Sequence, residues 1–337
     1  MRIGVLGGTR FIGVHLIHAL LERGDEPVLL NRGVSREPEP FARPVERVHG
    51  NRRDPRTLDR LFARPLDALI DVSGYTPADV APVLERRDRF GAYAFVSTSS
   101  VYRLPAPSPY DENAPLRAEP GTYGGDKRAA EDLALASAGT VLRPQAVTGP
   151  WGAHQALYAL TRAAAGAPIL LRPGTERRLL CPVWVGDLAD ALLRAVSEPR
   201  AAGRAFDIAG PDAVDAEAYA AAAAAACGGR AVTRTLTPEL AGDAWLGLPW
   251  LGHDLAASGA AAREVLGLKP RPLAETLSAV WAWAQADPAR TRLKLDRGEA
   301  DAASGRAAPS WRRAAWRVED AARRPLRAVR RLVRGPR

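Results

Sequence analysis

The stretch RIGVLGGTRFIGVHLIHALLERG, residues 2–24, joins a short apolar run, a glycine-rich turn and a longer apolar pattern. Residues 2–7 have the composition of a buried β-strand. Residues 11–24 repeat apolar side chains at the spacing of one helix face, and Gly24 supplies a helix stop. A strand, a glycine turn and a helix in this order predict the nucleotide-binding start of a doubly wound α/β fold.

The turn contains three glycines whose positions fit the binding of a pyrophosphate. Gly7 makes the tight turn, Gly8 leaves the backbone bare, and Gly13 lets the helix pack close to the strand. Backbone N–H groups and the helix N-terminus would then hold a dinucleotide. The alternative is a glycine turn that only connects two elements. The residues of this turn that we expect to contact the cofactor are Gly7, Gly8, Thr9, Arg10, Phe11, Ile12 and Gly13.

The first half of the chain alternates β-rich runs with helical stretches. Further strands are expected at residues 26–31, 45–50, 66–72, 92–98 and 140–144, and a helix at 122–139. Strands separated by helix-length segments predict a parallel sheet that is covered on both faces. The expected fold class is therefore α/β, a Rossmann-type doubly wound parallel sheet.

The pattern loosens after residue 150. Helices are expected at 186–199, 215–229 and 273–285, and a short strand at 203–210. We therefore expect a smaller, mixed C-terminal substrate-binding region whose chain crosses back to the sheet. The expected divisions are an NAD(P)-binding domain at 1–150, the substrate-binding region at 151–286, and a basic tail, flexible or helical, at 287–337.

The net charge of +9 is concentrated at the C-terminus. Residues 288–337 contain 15 Lys and Arg against 5 Asp and Glu, so the rest of the chain is nearly neutral. Apolar residues at helical spacing from Trp311, and again after Pro325, predict two short basic helices. A nucleic-acid or membrane-surface contact through this tail is one interpretation, and a solvated tail is the one we favour.

The end of the second predicted strand bears on cofactor choice. An acidic residue there would bind the ribose 2′-hydroxyl of NAD(H) and repel a 2′-phosphate. The chain has Asn31 and Arg32 instead, and Arg32, with Arg10 nearby, can pair with a phosphate. This favours NADP(H) over NAD(H), although a solvated loop arginine would leave NAD(H) open. Asp54 is a candidate for the adenine amino group.

Tyr123 and Lys127 lie four residues apart in TYGGDK, residues 122–127, so they share one face of a helix. A free phenol has a pKa of about 10, and a nearby ammonium favours its ionised form. The same spacing also occurs by chance in many chains. The hydroxyl-rich STSSVY, residues 97–102, ends a predicted strand, which puts Thr98 at the sheet edge where such folds bind ligands.

Several motifs in order resemble the extended short-chain dehydrogenases/reductases of the NAD-dependent epimerase/dehydratase family. They cover about residues 1–286 and read GGTRFIG, ST-x-x-VY, YDENAPL, YGGDK, LRPQAVTGP, CPVWVGDLADAL, FDIAGP and VLGLKPRPLAETL. The resemblance implies Tyr123 as acid/base, Thr98 as a hydrogen-bond partner of the substrate oxygen, and Lys127 as ribose anchor. It also implies cofactor contacts at Ser73, Pro144 and Ala146.

Two departures from this family refine the expectation. Arg10 stands where the family usually has glycine, and this variant resembles an atypical branch, some of whose members bind RNA or have lost the active tyrosine. Tyr123 and Lys127 remain here, which argues for redox chemistry. Ser99 and Ser100 follow the threonine where sugar 4,6-dehydratases have Asp-Glu, which argues against that activity.

The expected reaction is hydride transfer at a secondary alcohol or ketone of a sugar nucleotide or related small molecule. A non-catalytic RNA-associated or cofactor-sensing protein is the alternative. The two cysteines and the absence of a long apolar run fit a cytoplasmic protein without a metal site, and a homodimer is left open. Side chains considered for the substrate are Trp151, His154, Arg162, Arg172 and Arg178.

Overall fold

The computed structural model of the 337-residue chain describes residues 1–117, 119–152, 154–236 and 253–293. Seven parallel strands form the central sheet in the order β3-β2-β1-β4-β5-β6-β8. These strands are β1 (Arg2–Leu6), β2 (Glu26–Asn31), β3 (Glu46–His49), β4 (Leu66–Asp71), β5 (Phe90–Val96), β6 (Thr140–Pro144) and β8 (Ala205–Ile208). The strand order reverses between β1 and β4, the place where open α/β sheets bind their ligands.

Helices cover both faces of the sheet. The helices of the described residues, of which only some cover the sheet, are α1 (Ile12–Glu22), α2 (Pro55–Leu61), α3 (Pro77–Leu84), α4 (Tyr123–Ala136), α5 (His154–Ala164), α6 (Val185–Ala195), α7 (Ala216–Cys227), α8 (Ala260–Leu266), α9 (Leu273–Gln285) and α10 (Pro288–Thr291). Helices α1, α6 and α8 pack in one apolar core with the sheet, and α2, α3 and α4 pack in the core on the opposite face. The structure confirms the predicted α/β class and its doubly covered parallel sheet.

Strand β8 brings the second half of the chain back into the sheet. Its register against β6 pairs Val141 with Ala205 and Pro144 with Ile208. Asp207, at the centre of β8, accepts a hydrogen bond of 2.9 Å from the buried hydroxyl of Tyr102. Strand β8, which lies about 60 positions after β6 in the chain, thus forms the edge of the sheet beside β6.

A separate apolar core lies in the C-terminal region. It joins α5, α7 and α9 to β7 (Ile169–Leu171), which pairs in parallel with β9 (Thr233–Thr235). This small sheet was not predicted, since each strand is only three residues long and gives too little period to recognise.

Two further outcomes concern the connections and the tail. No helix separates β2 from β3, because residues 32–45 contain three prolines and a glycine that interrupt helical hydrogen bonding. The predicted tail helices at Trp311 and after Pro325 lie outside the described residues. Within the described ranges, no helix is both long and apolar enough to cross a membrane.

Candidate active site

The glycine turn between β1 and α1 has the close contacts that require glycine. Gly7 has a φ of +98°, and a Cβ added there would lie 2.5 Å from the Ser73 hydroxyl oxygen. A Cβ on Gly13 would collide with the Gly7 carbonyl and lie 2.7 Å from the Cα of Gly8. A side chain at Gly7 would therefore displace the turn that follows β4, and a side chain at Gly13 would push α1 away from the glycine turn.

The first N–H groups of α1 suit a bound phosphate. The backbone N–H groups of Arg10, Phe11 and Ile12 make no hydrogen bond to any other residue in the described part of the chain. Thr9 is buried and its hydroxyl lies 3.1 Å from that of Ser35, while Arg10 is exposed. Unused N–H groups at a helix N-terminus attract anions, so these residues fit a dinucleotide pyrophosphate.

The end of β2 presents an amide rather than a carboxylate. The Asn31 side-chain oxygen accepts a hydrogen bond of 2.9 Å from the Gly33 N–H and lies 3.0 Å from His49 Nδ1. Arg32 is exposed beside it. Asp54 caps α2, accepting a hydrogen bond of 2.8 Å from the Thr57 hydroxyl. The sequence analysis did not assign this capping role to Asp54. The contact of Asp54 with the adenine amino group stays a prediction.

A buried ion pair lies between the glycine turn and the predicted catalytic lysine. Arg52 donates to Asp71 at 2.6 Å and to the Ser73 hydroxyl at 2.6 Å, and Asp71 is fully buried. The other carboxylate oxygen of Asp71 accepts from the backbone N–H groups of Ser73 and Gly74 at 3.0 and 2.8 Å. The Ser73 hydroxyl in turn donates to the Leu6 carbonyl. Arg52 and Asp71 therefore fix the turn that follows β4 against the glycine turn.

Lys127 is held by the same turn. Its Nζ donates to the carbonyls of Gly74 and Val96, each at 2.7 Å, and the side chain is only 3% exposed. Two of the three ammonium N–H bonds are thus used, and the third remains for a ligand in the cleft that Lys127 lines. Burial lowers the pKa of Lys127 to about 8, and the nearby Asp71 carboxylate partly opposes that decrease.

Lysine NMR can test this buried environment directly. The chain contains three lysines, Lys127, Lys269 and Lys294, so ¹³C-lysine labelling gives few signals. We expect the Lys127 signal to titrate with a midpoint near pH 8, with the exposed Lys269 as reference. The unfolded chain keeps that proton up to about pH 10.4, so the Lys127 contribution to the free energy of unfolding rises between these pH values. A Lys127 signal that titrates like a free lysine would contradict the buried setting.

The two glycines of TYGGDK let α4 approach the turn after β5. A Cβ on Gly124 would collide with the Ser100 carbonyl, and one on Gly125 with the Glu119 carbonyl. Thr122 caps the helix, with its hydroxyl accepting from the Gly125 N–H at 3.1 Å. Because α4 lies this close to residues 98–101, Tyr123 at its first position faces the same cleft as Thr98.

That cleft has a volume of about 460 Å³ and opens at the carboxyl ends of the strands. The predicted catalytic residues Thr98, Tyr123 and Lys127 all line it, as do Pro144 and Ala146. Phe11 and Ile12 extend its lining to the start of α1, so the cleft connects the glycine turn with Tyr123. Tyr123 is 53% exposed, as expected of a group that meets substrate.

The residues considered for substrate contact lie elsewhere. Trp151 packs against α1, with its ring centroid 4.9 Å from that of His15. Arg162 is buried, and its guanidinium carbon lies 3.7 Å from the ring centroid of Tyr158. The structure therefore assigns packing roles to Trp151 and Arg162. The other three candidates are exposed and do not contribute to the cleft lining: His154, Arg172 and Arg178.

Among the cleft residues that the sequence analysis did not name, three have polar or charged side chains: Tyr75, Arg117 and His253. The ring centroids of Tyr75 and Tyr123 are 6.3 Å apart, and Lys127 Nζ lies 4.9 Å from the Tyr75 ring. The sequence contains one signal for these residues, which is that Tyr75 comes shortly after the end of a predicted strand. Within the described ranges, no group of three or more His, Cys, Asp or Glu side chains is arranged to hold a metal ion.

The combination of this parallel sheet with a cleft running from glycine turn to tyrosine defines a short-chain dehydrogenase/reductase type of protein. Residues 3–209 match the NAD dependent epimerase/dehydratase family, and the chain belongs to that family.

Two relatives with assigned names differ in what they do. The chain is 27% identical over 287 residues to the chloroplast stem-loop binding protein of 41 kDa b from Arabidopsis thaliana, covering 80% of this chain and 75% of that protein. It is 33% identical over 181 residues to a ceramide reductase from Caulobacter vibrioides, covering 50% of this chain and 52% of that protein. Only about half of the reductase is therefore matched.

Solved structures share the fold at lower identity. An epimerase from Methanothermobacter thermautotrophicus has a TM-score of 0.69 at 19% identity, covering 86% of this chain and 94% of that one. The dTDP-glucose 4,6-dehydratase of Bacillus anthracis, in complex with NAD, has a TM-score of 0.68 at 17% identity, covering 86% and 98%. At this level of identity the comparison establishes the fold alone.

Proposed function

We propose that the protein is an NAD(P)-dependent oxidoreductase or epimerase that transfers a hydride at a secondary alcohol or ketone. Its substrate would be a sugar nucleotide or a related small molecule. The observation that carries the proposal is the single cleft lined by Thr98, Tyr123 and Lys127, which continues to the start of α1.

Each of the three side chains has a separate role in the proposed reaction. The bound nicotinamide supplies the hydride acceptor or donor. The Tyr123 phenolate takes the hydroxyl proton of an alcohol substrate, or the phenol returns it to a ketone. Lys127 supplies positive charge that favours the phenolate. The Thr98 hydroxyl donates to the substrate oxygen as negative charge develops there. Its oxygen already accepts from the Ser100 N–H at 3.2 Å, which leaves the proton for substrate.

A mass spectrum of nucleotide released from the purified protein tests the proposal and separates its two forms. Tightly retained nicotinamide nucleotide supports an epimerase, which returns the hydride to its own substrate. A site that is empty on purification and binds added nucleotide supports a reductase, which exchanges its cofactor each turnover. A protein that neither retains nor binds a nicotinamide nucleotide would contradict both forms.

We also propose NADP(H) as the preferred cofactor, although the family as a whole is NAD dependent. Support comes from Asn31, Arg32 and the exposed Arg10 at the corner where a 2′-phosphate would lie. We expect Arg32→Ala to weaken NADPH binding about tenfold, because a charge-assisted hydrogen bond is lost, and to leave NADH binding unchanged. Fluorescence titration of both cofactors measures this, with the exposed Arg64→Ala as the control. A wild type that prefers NADH would overturn the preference.

A second candidate is association with RNA, which the name of the Arabidopsis relative supports. Under this candidate the basic residues 298–337 make the contact. Deleting them would abolish binding of an RNA stem-loop by the chain, while turnover by an oxidoreductase would be unaffected. The cytoplasmic location and the homodimer stay predictions from the sequence.

A further inference from the structure

Two basic side chains line the cleft without an assigned role: Arg117 and His253. The backbone N–H of Arg117 donates a hydrogen bond of 2.7 Å to the Val101 carbonyl, which holds the chain in place at Arg117. The Arg117 side chain then crosses the first turn of α4, with its Cδ 3.0 Å from where a Cβ on Gly124 would lie. Arg117 therefore lies next to the residue that follows Tyr123.

Arg117 is a half-buried residue, and its guanidinium has no carboxylate partner among the residues that the structure describes. Most arginines of similar burial in this protein are paired, as Arg47 is with Glu37 at 2.7 Å. A partly desolvated guanidinium without an acceptor costs free energy, which an anion in the cleft would recover.

His253 contributes a second polar group without a hydrogen-bond partner in the described chain. Its Nε2 is buried and makes no hydrogen bond within the described chain. Burial lowers the pKa of His253, the positive charges of Arg117 and Arg178 lower it further, and Asp254 opposes them. Asp254 itself accepts from the Leu179 N–H at 3.0 Å, so its carboxylate is engaged with the backbone. The charges around His253 are thus mainly positive.

We propose that Arg117 and His253 form an anion-binding subsite, and that the substrate carries a phosphate or carboxylate group close to the carbon that reacts. The part that concerns the substrate rests on the proposed function. The cleft is also lined by the apolar residues Leu104, Leu180 and Leu255, and an apolar lining lowers the local dielectric and strengthens the attraction. Arg178 is exposed and does not line the cleft, but its positive charge acts on His253.

Sulfate is the probe for this subsite, because its charge is constant between about pH 5 and 8. We titrate the NADP⁺-saturated protein with sulfate by calorimetry and compare Arg117→Gln, His253→Gln and the exposed control Arg177→Gln. Sulfate should bind the wild type and the control alike, and about tenfold or more weakly to Arg117→Gln. Affinity should rise from pH 7.5 to 5.5 in the wild type, since the anion favours protonated His253, and this rise should be lost in His253→Gln.

Methyl phosphate and acetate, titrated in the same way, distinguish the two substrate classes. A tighter methyl phosphate complex that depends on Arg117 assigns a phosphorylated substrate, and a tighter acetate complex assigns a carboxylate. Unfolding midpoints of each variant confirm that the fold is intact.

Absence of sulfate binding, or equal binding by Arg117→Gln and wild type, would overturn the subsite. Comparing sulfate binding by Arg117→Gln and His253→Gln with that of the wild type locates the anion subsite whether or not a cofactor is bound. Failure of both NADP⁺ and NAD⁺ to bind would count against the proposed function, while a loss of sulfate binding in Arg117→Gln would still establish the subsite.

Discussion

Tyr123→Phe is expected to lower turnover by about 10²–10⁴-fold while dinucleotide affinity stays within about twofold. The substitution removes only the hydroxyl that gives and takes the proton, and the ring stays at the start of α4. Turnover is followed as nicotinamide absorbance with the substrate that the wild type uses, and affinity by fluorescence titration.

Tyr75→Phe is the matched control, because its phenol lines the same cleft and its ring centroid is 6.3 Å from that of Tyr123. We expect Tyr75→Phe to retain most of the wild-type rate. If the loss occurred in Tyr75→Phe and not in Tyr123→Phe, the acid/base role would belong to Tyr75. Full activity in both variants would contradict an acid/base role for either tyrosine, and with it the proposed mechanism.

Arg52→Met is expected to lower the free energy of unfolding by about 3–5 kcal/mol, because it leaves the fully buried Asp71 carboxylate without its charged partner. The double variant Arg52→Met/Asp71→Asn should recover part of this loss, since it removes both charges and keeps a side-chain oxygen that can accept from the Ser73 and Gly74 N–H groups. Denaturation with urea measures each value.

The neighbouring Arg53 gives a control with the same residue type. Its guanidinium pairs with Asp79 at 2.7 Å, but its side chain is 51% exposed. Arg53→Met should therefore cost less than about 1 kcal/mol. Equal losses for Arg52→Met and Arg53→Met would show that the buried pair contributes little beyond a surface contact.

Two single variants of the buried pair, Arg52→Met and Asp71→Asn, are expected to have opposite effects on the pKa of Lys127. Arg52→Met leaves the Asp71 charge and should raise the pKa of Lys127, whereas Asp71→Asn leaves the Arg52 charge and should lower it. Lysine NMR reports both shifts. Loosening of the structure alone would move the pKa of Lys127 in one direction in both variants, towards that of a solvated amine.

The sequence predicted the features that are local in the chain. Strand, turn and helix signals lie within residues 2–24, so the glycine turn and the fold class could be predicted from them. Tyr123 and Lys127 share one helix face, and their four-residue spacing showed this. The prediction that Thr98 lies in the same cleft depended on Thr98 ending a predicted strand, and in the structure Thr98 lies two residues beyond the end of β5 and lines the cleft.

The missed features depend on contacts between distant residues. Arg52 and Asp71 are 19 positions apart, one in the loop after a predicted strand and the other near the end of the next predicted strand, and the packing of the β3 and β4 ends brings them together and buries them. Arg117 and His253 are 136 positions apart, and no spacing rule joins them. The packing roles of Trp151 and Arg162 likewise follow from tertiary neighbours that composition does not reveal.

Strand β8 has a practical consequence for anyone who wishes to isolate the nucleotide-binding half. A fragment ending at residue 150 would leave the hydrogen-bonding edge of β6 open and the apolar side of α1 uncovered by α6 and α8. Such an edge recruits other chains, so the fragment should aggregate when expressed. Residues 1–150 are therefore not expected to work as an independent unit. Exchanging substrate preference between homologues would require loop grafts within the intact chain.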